Sequence, residues 1–160
     1  MEKYKFRKYD SKFQELFKRE KVKLKKILPN DSKIEHVGST AVKGLGGKGV
    51  LDVMISVPKG DIKKVKEQLE KANYIFKESG GERDRLFFKK NYKYGGEIRI
   101  VHIQLTSHNS YISKRMIKFR DLLIKDKAYA KEYADIKRKA AEIAKGEGKI
   151  YRKHKEKIFE

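Results

Sequence analysis

Asp52 is the only charged residue in the run Val50 to Val57, VLDVMISV. An ionised carboxylate inside an apolar layer carries a steep desolvation cost unless a cation, a metal ion or hydrogen-bond donors meet it. The stretch just upstream, Gly38 to Gly49, supplies such groups: the hydroxyls of Ser39 and Thr40, the ammonium of Lys48, and backbone N–H groups that glycines let approach an anion closely. These residue types suit a phosphorylated ligand, with Asp52 as the central acid. His102, in the later run RIVHIQL, is a second candidate. If the segments carrying Asp52 and His102 are adjacent, the two pair as an acid-orienting dyad or jointly hold a divalent metal. The alternative is a histidine hydrogen-bonded inside a sheet.

The elements that position these residues follow from periodicity. Ile34 to Val37 reads as a short strand that breaks at Gly38-Ser39, and Val50 to Val57 as a second, with Val50, Asp52 and Met54 on one face and Leu51, Val53 and Ile55 on the other. Glu35 and His36 point to opposite faces of their strand, so only one of them can face the site. Upstream, Phe13, Leu16, Phe17, Leu24, Ile27 and Leu28 mark one stripe of a helix capped by Asp10 or Ser11, and Lys18 to Lys26 form its solvated side. Asp61 is placed to cap a helix with Ile62, Val65 and Leu69 inward. Tyr74 to Lys77, Arg85 to Lys90 and Ile98 to Leu105 read as three more strands, the last after a loop at Gly95-Gly96. From Ser110 the pattern is helical, with one stripe at Ile112, Met116, Phe119, Leu122 and Leu123 and another at Tyr129, Tyr133, Ile136, Ala140 and Ile143. Gly146 and Gly148 break it before a last helical stretch at Ile150, Tyr151, His154 and Ile158. The order predicts an α+β domain, residues 1–160, with a mixed sheet of about five strands covered by helices and a C-terminal helical segment.

The sequence GSTAVKGLGGKGVLDV resembles the signature of the GrpB family, in which a Gly-Ser-Thr-Ala-Val-Pro-Gly-Leu run leads to Lys-Pro and an apolar stretch with one Asp. Tyr9-Asp10, IEHVGST, DRLFFKK, His102 and FRDLL followed by KEYADIKRKAA also fall in that family's order, so the resemblance covers nearly the whole chain. It implies a nucleotidyltransferase fold, with Asp52 and His102 as catalytic candidates and Asp52 as a ligand for Mg²⁺ or Mn²⁺. Gly38, Ser39, Thr40, Lys48 and Arg85 become substrate contacts, Arg85 being alternatively a strand-edge residue. Nucleotidyl transfer of this kind needs two acids two residues apart on one face, and a third on a later strand. Asp52 has only Val50 and Met54 in those flanking places. Lys43 and Gly49 stand where the family carries prolines, which leaves the loop freer. Two functions follow: a domain that binds a nucleotide or phosphorylated metabolite and transfers a nucleotidyl group with a divalent metal, or an accessory domain that binds the anion after losing transfer chemistry.

Composition narrows the partners. With 42 basic and 22 acidic residues, a formal charge of +20, the chain attracts anionic ligands. The basic residues are spread along every segment and no RNA-binding module is recognisable, so nucleic acid is the less favoured partner. The absence of cysteine excludes disulfides, thiolate metal sites and thiol nucleophiles. No apolar run approaches the roughly 20 residues of a membrane helix, and the expectation is a soluble, cytoplasmic protein.

Overall fold

Leu51, Val53, Ile55 and Val57 are all almost fully buried, and they meet Leu16 and Leu24 from one helix and Val65 and Leu69 from another. One face of the second strand is therefore core throughout. The computed structural model describes residues 9–47, 49–81 and 84–144. Its elements run α1 (Lys12–Ile27), β1 (Lys33–Val37), β2 (Val50–Val57), α2 (Ile62–Lys71), β3 (Ile75–Phe76), β4 (Arg85–Tyr94), β5 (Glu97–Ser107), α3 (Tyr111–Lys125) and α4 (Lys127–Ala144). The five strands form one mixed sheet in the order β1-β2-β5-β4-β3, in which only β2 and β5 run parallel. This is the α+β architecture that the element order predicts. The final helical stretch at Ile150 to Ile158, with His154, lies outside the described residues.

Of the two capping candidates for α1, Asp10 serves, its carboxylate accepting the Lys12 N–H at 2.9 Å, while Ser11 makes no capping bond through its side chain. Other local expectations need correction. Asp61 does not cap α2 through its carboxylate. It already has right-handed helical backbone angles, and it ends a 3-10 turn in which its own N–H donates to Pro58 O at 2.9 Å. The third strand shrinks to two residues, while β4 and β5 extend into a longer hairpin closed by a two-residue turn at Gly95-Gly96, where a loop is expected. Leu122 and Ile143, counted on the inward stripes of α3 and α4, are 43% and 55% exposed.

Glu20 and Arg120 are charged groups that sit on apolar helix stripes and are met there. Glu20 lies between Leu16 and Leu24 on α1, is buried, and accepts a hydrogen bond from the Tyr74 hydroxyl. Burial, with the Glu20 carboxylate alongside, pushes the Tyr74 phenol well above its ordinary range, so it stays a donor at any physiological pH. Arg120 lies between Met116 and Leu123 on α3. Its guanidinium reaches Glu35 Oε2 at 2.7 Å and the His36 carbonyl at 3.0 Å, which fastens α3 to β1. Replacing Arg120 by Met keeps the stem but leaves Glu35 and a strand carbonyl without that donor. Urea unfolding of Arg120→Met is expected to show a loss of about 1–3 kcal/mol, and a loss below about 0.5 kcal/mol would assign the fastening to apolar packing alone.

Candidate functional site

The row of side chains on the face of the sheet turned away from α1 and α2 is set by strand register. Val37, Asp52, His102 and Lys89 are Cα partners across β1, β2, β5 and β4, so all four project to one face. Glu35, Met54, Gln104 and Phe87 make the next row. The pairing of β2 with β5 brings Asp52 Oδ1 to 3.7 Å from His102 Nδ1, with the two side chains 24% and 16% exposed. That separation is too long for a hydrogen bond and short enough for the carboxylate to orient and attract an imidazolium. Phe87 packs edge-on against the His102 ring, 4.8 Å between centroids, and limits its rotation.

The Gly-Ser turn closes over Asp52. Gly38 has φ +75°, and a Cβ there would lie 3.0 Å from Asp52 Cβ and Cγ and closer still to Oδ2. Only glycine allows both the left-handed backbone and this approach. Ser39 to Ala41 continue as a single 3-10 turn. A second close approach occurs at Gly47, where a Cβ would collide with Ser39 Oγ and lie 3.0 Å from Lys137 Nζ. Lys137 comes from α4, is 2% exposed, and also holds its ammonium 5.3 Å from the centre of the Tyr133 ring. Val42 and Leu45 of the loop pack on Leu123 and Tyr133, which seats α3 and α4 against the turn.

The candidate residues thus divide. Gly38, Asp52 and His102 converge, and Ser39 stands beside them with Lys137. Thr40 is buried and bonds His36 Nε2 at 2.9 Å, which turns its hydroxyl to the loop's support. Arg85 aligns with Thr106, two rows from Asp52, or about 13 Å along the strands. Lys48 lies outside the described residues. His108 Nδ1 meets Ser56 Oγ at 3.0 Å. Glu35, not His36, shares the face of Asp52, while His36 turns to the opposite face and stacks on Phe17 at 4.7 Å. Lys137 and Arg120 were not anticipated. The signal was present: each interrupts an apolar stripe, Lys137 four residues after Tyr133 and three before Ala140.

As a metal site the arrangement is sparse. Among the described residues no three His, Cys, Asp or Glu side chains could hold an ion together. Asp52 and His102 offer two donors, and Glu35, in the next row, is taken by Arg120. A hard dication takes six or more oxygens, so this set does not fit a resident metal and fits only an ion whose remaining ligands arrive on a phosphorylated molecule or as water.

A family model described as GrpB protein matches residues 3–160. The chain is 31% identical to UPF0157 protein YqkA of Bacillus subtilis over 83% of its own length and 38% of that protein. It is 30% identical to UPF0157 protein BH1888 of Halalkalibacterium halodurans, over 84% of this chain and 67% of the relative. The chain therefore spans well under half the length of the first of these relatives and two thirds of the second. Among solved structures it is similar to the conserved protein GrpB from Enterococcus faecalis, with TM-score 0.75 and 24% identity over 97% of this chain and 99% of that one. It is also similar to Cid1 in complex with the UTP analog UMPNPP, with TM-score 0.56 and 17% identity over 86% of this chain and 42% of Cid1. The fold is nucleotidyltransferase-like. No helix among the described residues is long and apolar enough to cross a membrane.

Two outcomes test this geometry. Gly38→Ala is expected to cost at least about 1–3 kcal/mol, from backbone strain and collision with Asp52; a melt unchanged from wild type would mean that the carboxylate can swing away. The second concerns His36, whose imidazole is pushed down to about 4 by burial first, with Arg120 lowering it further and Asp52 opposing. The unfolded chain binds that proton at about pH 6.5, so between about pH 4 and pH 6.5 the unfolded state holds more protons and stability rises with pH. The increment is on the order of 3 kcal/mol. Urea unfolding across that range should show the slope in wild type and a shallower one in His36→Phe; equal slopes would remove His36 as the source.

Proposed function

The chain belongs to the GrpB family, and on that footing we propose that it binds a nucleotide or another phosphorylated small molecule at Gly38 and Ser39, beside Asp52 and His102. One observation carries the reading: a tight Gly-Ser turn, a partly exposed acid–imidazole pair and a buried ammonium meet at one place. Lys137 Nζ stands by the turn, 3.0 Å from where a Cβ of Gly47 would lie, and it is the cation that α4 brings to the proposal. Lys48, at the end of the same loop, is the second cation of the proposal, and Thr40 supports the turn through His36.

Asp52 would hold a Mg²⁺ or Mn²⁺ ion brought by the phosphates, and the ion would supply charge neutralisation between the two anions. The Cid1 complex carries a UTP analog, and a nucleoside triphosphate is accordingly the first ligand to try here. Of the two activities compatible with the site, binding without transfer is favoured by Val50 and Met54, which flank Asp52 on its face where transfer chemistry needs a further acid. Transfer has one observation on its side: the Asp52 carboxylate stands 3.7 Å from His102 Nδ1, an acid–imidazole pair of the kind that serves a general base.

Calorimetric titration with UTP, ATP and pyrophosphate, with and without Mg²⁺, separates these readings. Wild type is expected to bind in a Mg²⁺-dependent manner. Asp52→Asn should lose at least tenfold of that dependence, about 1.4 kcal/mol, and keep its fold. Equal binding by both proteins that fades with added salt would leave only the diffuse charge of the chain at work and overturn the proposal. Incubation with α-labelled nucleotide reads transfer directly.

A further inference from the structure

A groove of about 600 Å³ lies between α3 and the strands β1 and β2, one row along the sheet from Asp52. Its floor includes Met54, which is almost fully buried, and Ile117, and its sides carry Lys33, Lys114, Lys118 and Lys125. The two acids in its wall are already engaged: Arg120 takes Glu35 at 2.7 Å and Asp121 at 3.0 Å. Among the described residues none of the four lysines has an ion pair. The groove therefore combines an apolar floor with uncompensated positive charge.

We infer that this groove is a second binding site, and that its ligand is a small soluble molecule with an anionic head, phosphate or carboxylate, on an apolar body. The volume is that of a typical small-molecule site. The apolar body gains from covering Ile117 and Leu122, the latter 43% exposed, and the head gains from the lysines, which neither a neutral molecule nor a bare anion can exploit together. A second copy of this chain is disfavoured, because it would bring further lysines to the same rim. Met54 follows Asp52 on one face, so an occupant lies within about 7 Å of the Asp52 row. The site itself does not depend on the phosphate reading of the Gly-Ser turn.

Octyl phosphate is the probe, titrated into the full chain below its micelle concentration. Wild type should bind it at least tenfold more tightly than inorganic phosphate or neutral octyl glucoside. Lys114→Glu/Lys118→Glu should weaken binding at least tenfold, while Lys63→Glu/Lys64→Glu, the same change of charge on exposed positions of α2, should leave it within twofold. The chain has three methionines, so a methyl spectrum resolves the floor without any variant, and the Met54 methyl should shift on titration. Equal loss in both double variants, or an unmoved Met54 methyl, would overturn the site. Pelleting with phosphatidylglycerol vesicles that is lost only in Lys114→Glu/Lys118→Glu would overturn the small-molecule ligand in favour of a lipid surface.

Discussion

A carboxylate in the second strand of a sheet is tolerated only if the chain around it is built to meet it, and the surroundings of Asp52 follow from that requirement. The turn after β1 must be glycine at position 38, because the carboxylate occupies the space a side chain would need. The neighbour in parallel register must offer a polar partner, and it offers His102. The opposite face must stay apolar to secure β2 in the core, as Leu51, Val53, Ile55 and Val57 do. The alternation of a single strand thus separates stability on one side from chemistry on the other.

The same division explains what could be read beforehand. Asp52 is legible because one charge in an apolar run has no bland explanation, and the Gly-Ser turn because its residues are those an anion needs. The meeting of Asp52 with His102 depended on strand order, which neither alternation nor element order gives; from the sequence it was a condition that the family resemblance implied. Arg120 and Lys137 escaped because α3 and α4 are rich in basic residues, nearly all of them solvated. The two that matter differ from the rest in position, not in type. Arg85, read as an anion contact or a strand-edge residue, stands apart for the converse reason: its place before an aromatic strand puts it on the face of Asp52, but two rows along it.

Charge has distinct roles in this molecule according to where it sits. Glu20, Arg120 and Lys137 stand on apolar helix stripes, where a charge persists only with partners, and each ties its helix to another part of the chain: Glu20 to Tyr74, Arg120 to Glu35 and His36, Lys137 to the turn at Ser39 and Gly47. The lysines that crowd the solvated faces create a long-range field that gathers anions and is weakened by salt. Local geometry then decides which anions stay.

The parallel pairing of β2 with β5 also fixes an order of assembly. During synthesis β2 can pair with β1 as soon as both have emerged, but its other edge has no partner until α2, β3 and β4 have been made and β5 follows. An apolar strand with one open edge is the element most exposed to mispairing between nascent chains. Closure of that edge is a non-local step, slow compared with formation of the β4–β5 hairpin, whose strands are joined by two residues. The acid and the imidazole of the site therefore come together only when β5 pairs with β2, so that His102 reaches Asp52 in the same step that covers the open edge of an apolar strand.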